Sequence, residues 1–184
     1  MILDKLFSRM RTAPSPAQNA YLQIVAQARQ NAFYTQAQVP DSVDGRFDMI
    51  VLHACLVMRR LAADKGSIAK EFSQELFDEM FLDMDRSLRE MGVGDLSVGK
   101  KIKKMAQVFY GRAAAYEEGI LQYADHPAVL EDAVMRNIFP ATKDATGAKQ
   151  IARYMVELAE SLDKQPIEGL LTGDIEFPEP EASF

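Results

Sequence analysis

Apolar residues recur at spacings of three and four through most of the chain, the pattern of amphipathic helices. Two stretches carry it furthest. Phe77, Met80, Phe81, Met84, Leu88 and Met91 share one helical face. Val98, Ile102, Met105, Phe109, Ala113, Tyr116 and Ile120 share another. Between them stands Gly92-Val93-Gly94-Asp95, so the pattern predicts a helical hairpin over residues 67–123. The first helix is expected to stop near Met91, because Gly92 can take the left-handed conformation that closes a helix. The second is expected to start at Ser97, whose hydroxyl can accept from a free amide of the first turn.

The same rule places the other elements. Residues 2–10 form a short amphipathic piece, with Leu3, Leu6, Phe7 and Met10 on one face, read as a terminal helix or arm in preference to a membrane-surface helix. Ser15 can cap a helix that begins at Pro16 and buries Ala17, Ala20, Tyr21, Ile24, Val25 and Ala28. The pattern lapses from Phe33 to Gly45, where Pro40, Asp41, Asp44 and Gly45 read as loop. A helix over residues 47–63 is apolar nearly all round and is expected to be central. Further helices are predicted over residues 128–137 and 147–162, and a last short turn over 166–171. The tail is acidic and proline-bearing, and is expected to be disordered or extended. No strand pattern competes. The expectation is an all-α, single-domain bundle of six or seven helices around the central hairpin, with an arm at 1–14, the domain at 15–172 and the tail at 173–184.

Composition narrows the function classes. With 184 residues, 48% of them hydrophobic, the chain can fill one core. Its net charge of -6 argues against a general nucleic-acid binder. A single cysteine, Cys55, excludes an intrachain disulfide and a paired-cysteine metal site, and fits a reducing compartment. The longest apolar run, Met49 to Met58, is too short to cross a bilayer, and no signal peptide is recognisable. The chain is therefore placed in the cytoplasm, with side-on membrane contact left open.

The search for catalytic chemistry is mostly negative. His53 and His126 are the two histidines, and no histidine–carboxylate metal motif is present. His53 reads as a hydrogen-bonded core residue and Cys55 as a small buried hydrophobe. Gly92 and Gly94 lack the Lys-Ser/Thr that a phosphate loop needs, and are read as turn geometry. The acidic run Asp78, Glu79, Asp83 and Asp85 is the best enzymatic candidate, a metal–diphosphate site of the kind some all-α enzymes use. A second acidic motif is missing, and intrahelical pairs such as Asp85–Arg89 explain the acids more simply. Lys100, Lys101, Lys103 and Lys104 stand in the first turns of the second hairpin helix, where cations oppose the helix dipole and imply a negative partner. A nucleic-acid adaptor working through them is a third class. Leu82 lies among charges, opposite the apolar stripe.

Several strings then point to a family. Asp44-Gly45-Arg46-Phe47-Asp48, Leu52-His53, Met80-Phe81-Leu82-Asp83-Met84-Asp85 and Leu88-Arg89-Glu90-Met91-Gly92-Val93-Gly94-Asp95 resemble the ubiquinol–cytochrome c chaperone family. So do Val98-Gly99-Lys100-Lys101 and Phe109-Tyr110-Gly111-Arg112 with Tyr116. The resemblance covers residues 20–123 well and the C-terminal third loosely. It implies a non-enzymatic assembly factor of the cytochrome bc1 complex that binds newly made cytochrome b and needs no cofactor. Mitochondrial members work with a small partner subunit and near the ribosome. This chain looks like a shorter, bacterial relative, with the ribosome or the inner-membrane surface as further partners. On that reading client or partner contacts fall to Leu82, Asp83, Asp85, Arg89, Glu90, Asp95, Lys101, Lys104, Tyr110, Arg112 and Tyr116. For Asp83, Asp85 and Arg89 an intrahelical ion-pair ladder is an equal alternative, as is internal packing for Tyr110 and Tyr116. Gly111 is expected at a close helix contact.

Overall fold

The computed structural model describes residues 13–184. The amphipathic piece expected over residues 2–10 lies outside the described residues. Six helices of 12 residues or more carry the fold: α1 (Pro16–Ala28), α3 (Val43–Ala63), α4 (Ser67–Glu90), α5 (Asp95–Gln122), α6 (Pro127–Ile138) and α7 (Thr146–Lys164). Two five-residue helices, α2 (Asn31–Thr35) and α8 (Ile167–Leu171), and a 3-10 turn at Pro180–Ser183 complete it. No strand occurs among the described residues.

The hairpin is the longest feature, but α3 is the axis. Residues 48–57 are buried without a break, and α3 packs against α1, α4, α5, α6 and α7. An apolar helix with no polar stripe needs neighbours on every side, and here it has them. Its start is earlier than the sequence indicates. Ser42 caps the helix by accepting from the Gly45 amide at 3.1 Å, so Asp44 and Gly45 form its first turn and not a loop. Glycine is needed there because a Cβ would collide with the carbonyl oxygen of Pro40. At α1 the expectation holds: Ser15 and Gln18 form a reciprocal capping box, with Pro16 in the first turn.

Close helix contact falls at a different glycine from the one expected. Gly111 faces open space, whereas a Cβ on Gly119 would sit 2.8 Å from the Leu130 Cα, where α5 and α6 pack.

Of the two states expected of the tail, extended and disordered, the structure shows the first. From Asp174 it runs extended along the bundle, and it is pinned there. Gln23 donates to the Gly173 carbonyl and accepts from the Ile175 amide. Gln165 donates to the Glu176 carbonyl at 2.8 Å and accepts from its amide at 3.0 Å. Gln27 donates to the Pro178 carbonyl. Side-chain amides thus pair with the tail as a neighbouring strand would. Ile175 is buried, and the Phe184 ring lies edge-on to Phe33. Composition alone leaves extended and disordered forms both open; the remote glutamines supply the order.

Candidate functional site

The hairpin turn is closed by local chemistry. Gly92 has φ +82°, its amide donates to the Arg89 carbonyl at 2.9 Å, and the Val93 amide reaches the Leu88 carbonyl at 3.0 Å. These two bonds are the double closure that a left-handed glycine gives a helix end. Gly94 has an ordinary backbone and serves as the N-cap, so α5 starts at Asp95, two residues before Ser97, without a side-chain cap. Arg89 clips the turn from outside, bonding Asp85 at 2.5 Å and also Asp95. These three charges satisfy one another within the hairpin.

The acidic run does not converge. Asp78 accepts from Gln74 at 2.8 Å, Glu79 from Gln18 at 3.1 Å and Asp83 from the Tyr21 hydroxyl at 2.7 Å. Burial, then the bond to Asp83, raises the Tyr21 pKa. Asp85 belongs to Arg89. Each carboxylate faces a different partner, and no cluster of three metal-ligating side chains occurs among the described residues. The diphosphate reading has no constellation behind it.

Arg112 and Tyr116 point inward, so neither presents surface to a partner in this conformation. The Arg112 guanidinium pairs with Asp48 of α3, both largely buried, and donates to the Asn137 carbonyl at the end of α6. Burial lifts the Asp48 carboxyl above its ordinary range, against the pull of Arg112. Tyr116 is 1% exposed. These two residues brace the bundle. His53 is likewise internal. Its Nδ1 donates to the Met49 carbonyl at 2.7 Å, and its Nε2 accepts from the Tyr154 hydroxyl at 2.9 Å. Desolvation lowers its pKa to about 4, so the ring is neutral. Cys55 is buried and its thiol is pushed well up by desolvation, which keeps it unreactive.

What remains on the surface gathers around two clefts. The first, about 710 Å³, opens between the turn end of the hairpin and the start of α3. Met84, Leu88, Met91, Met105 and Val108 come from the hairpin, Val43 and Phe47 from α3. Arg29, Arg46, Lys101 and Lys104 rim it, against Asp44 and Asp83. The second, about 980 Å³, lies between the C-terminal half of α3, the start of α4 and the middle of α5. Its wall is an aromatic group: Phe77 stacks on Tyr110 at 5.6 Å and meets Phe109 edge-on at 5.4 Å. Tyr110, 61% exposed, is the outer face of that group. Of the sequence-predicted residues, Asp83, Lys101 and Lys104 meet at the first cleft and Tyr110 stands at the second. Leu82 and Glu90 are exposed outside both. Sequence reasoning missed the apolar lining. Its one signal is that the α4 stripe outruns its partners: Leu88 is half-buried and Met91 is 54% exposed.

Comparison with known proteins supplies the decisive observation. The model of the ubiquinol–cytochrome C chaperone family matches residues 35–177, from the end of α2 through α8 and into the tail. The chain belongs to this chaperone family. The match takes in the C-terminal third, which the sequence strings reached only loosely. A frog (Xenopus laevis) ubiquinol–cytochrome-c reductase complex assembly factor 1 is 22% identical over 78% of the chain and 70% of its own length. The yeast (Saccharomyces cerevisiae) mitochondrial protein CBP3 is 26% identical over 80% of the chain, but the match spans 44% of the yeast protein. The crystal structure of a Cbp3 homolog from Brucella abortus superposes with a TM-score of 0.82 at 35% identity, over 98% of both chains. The chaperone-family model covers both clefts except Arg29.

Proposed function

We propose that this chain is a non-enzymatic assembly chaperone of ubiquinol–cytochrome c reductase, that newly made cytochrome b is its client, and that it works at the inner-membrane surface. Family membership supports the first part. The observation that carries the client reading is the methionine-lined cleft at the hairpin end. A membrane-protein client offers apolar segments that must be shielded before assembly, and an accessible apolar groove with a charged rim suits them. Three methionines give the lining a flexible, polarizable surface that can fit more than one apolar shape. Lys101 and Lys104 are the rim contacts, and Leu82 and Glu90 are further exposed contacts on the hairpin outside the cleft. Among the described residues no helix is long and apolar enough to cross a membrane, so the proposed membrane contact is peripheral.

The test uses exposed cleft positions, so that folding is spared. Met91→Glu and Val108→Glu place a charge where an apolar client segment would lie. Each should weaken client capture by about 30-fold, the effect of about 2 kcal/mol for burying an unpaired polar group. The readouts are cytochrome b co-purifying with tagged protein and bc1 content in cells. Normal bc1 content in cells lacking the chain and any paralogue would refute the proposal.

A further inference from the structure

Leu96, Lys100, Lys103 and Lys104 form one outward stripe of α5, at i, i+4, i+7 and i+8. All four are exposed, and Leu96, at 93%, is the most exposed large apolar side chain among the described residues. The stripe lies opposite the α5 face that buries Val98 and Phe109. Met91 is exposed at the other end of the same turn. Residues 85–104 carry six cations and three anions in a chain whose net charge is -6. Two of those anions, Asp85 and Asp95, are held by Arg89, which leaves Glu90. Among the described residues, none of Lys100, Lys101, Lys103 and Lys104 forms an ion pair. A concentrated positive field and a bare leucine at the tip therefore have no counterpart among the described residues.

We propose that the hairpin tip docks on an anionic lipid surface, with Leu96 entering the headgroup layer and Lys100, Lys103 and Lys104 against its phosphates. Apolar contact plus lysine attraction is the combination that holds a protein on anionic bilayers, each near-surface lysine adding about fivefold in affinity. RNA would use the lysines but not the leucine. The inference rests on the proposed membrane association and assigns it a surface. It also places the cleft, rimmed by Lys101 and Lys104, at the level where a membrane client would meet it.

The chain contains no tryptophan, so Leu96→Trp makes a single fluorescent reporter. The full chain is mixed with vesicles of phosphatidylglycerol and phosphatidylcholine in equal parts, or with phosphatidylcholine alone. The expected result is a blue-shifted, stronger emission with the anionic vesicles only, reversed by salt. Lys100→Gln with Lys103→Gln should lower vesicle partition by about 30-fold, with the helical circular dichroism spectrum unchanged. If the L96W chain floats with vesicles while its indole emission stays put, another segment makes the contact, and the tip assignment fails although membrane association stands. If the chain does not float at all, both fail. If the double lysine variant loses single-stranded RNA binding and keeps full vesicle binding, the partner is RNA and the proposal is overturned.

Discussion

His53 shows how much a single buried ring can make stability depend on acidity. Both nitrogens are bonded in the neutral form, so a second proton, on Nε2, would point at the Tyr154 hydroxyl that now donates there. The folded-state pKa, about 4, lies below the ordinary 6.5. Between those values the unfolded chain binds more protons than the native one, so stability falls as pH falls through this window. The loss approaches about 3 kcal/mol below pH 4. Asp48, its carboxyl raised by burial, acts in the opposite sense near the acid end. Urea titrations at pH 7 and pH 4.5 should show the slope, and His53→Gln should flatten it. At the same scale, two glycines of α5 should respond oppositely to alanine. Gly119→Ala forces a methyl against the Leu130 backbone and should cost about 1–3 kcal/mol. Gly111→Ala faces open space in a helix interior and should gain up to about 1 kcal/mol. Thermal melts of the two variants check both. Sequence placed His53 correctly because a lone histidine on an all-apolar helix has few other uses. It misplaced the close contact because nothing local distinguishes Gly111 from Gly119; only the path of α6 does.

Among the elements, the hairpin turn is the one whose chemistry is fully local, and the sequence reads it almost completely. Gly92 sits where a left-handed residue must, and Gly92→Ala should cost about 1 kcal/mol because an L side chain is strained at φ +82°. Gly94 has no such constraint, and Gly94→Ser, by supplying the missing cap, should gain a few tenths of a kcal/mol. Chemical denaturation of this pair separates the geometric glycine from the dispensable one. Helix stripes and the Ser15–Pro16 cap are legible for the same reason: each depends on neighbours three or four residues away. The start of α3 was not, because Pro40 and Gly45 read as breakers until the Pro40 carbonyl is seen lying against Gly45. The cleft was not either. Its walls come from α3, α4 and α5, and the residues that line it obey the same periodicity as core. Only their exposure tells Met91 and Val108 from buried positions.

In the whole molecule, α3 holds the bundle together, and among the described residues the turn end of the hairpin keeps both its cleft and its positive field uncovered. The tail finishes the opposite kind of surface, covering Phe33 with Phe184 and His53 with Phe177. A chain ended at Gly173 would lose the burial of Ile175 and the Phe177 and Phe184 contacts. It should be about 3 kcal/mol or more less stable, at about 1.5–3 kcal/mol per large apolar side chain. Stronger binding of an environment-sensitive dye and a lower melting temperature would show it.

The glutamine clasp on this tail has a consequence of its own. Gln23, Gln27 and Gln165 carry no charge at any pH, so their grip is indifferent to acid and ionic strength, unlike the lysine-rich tip. Urea, itself an amide, competes for the same donors and acceptors. Mild urea should therefore free the C-terminal strap before the helices give way, whereas brine should strip the tip from its surface and leave the strap seated.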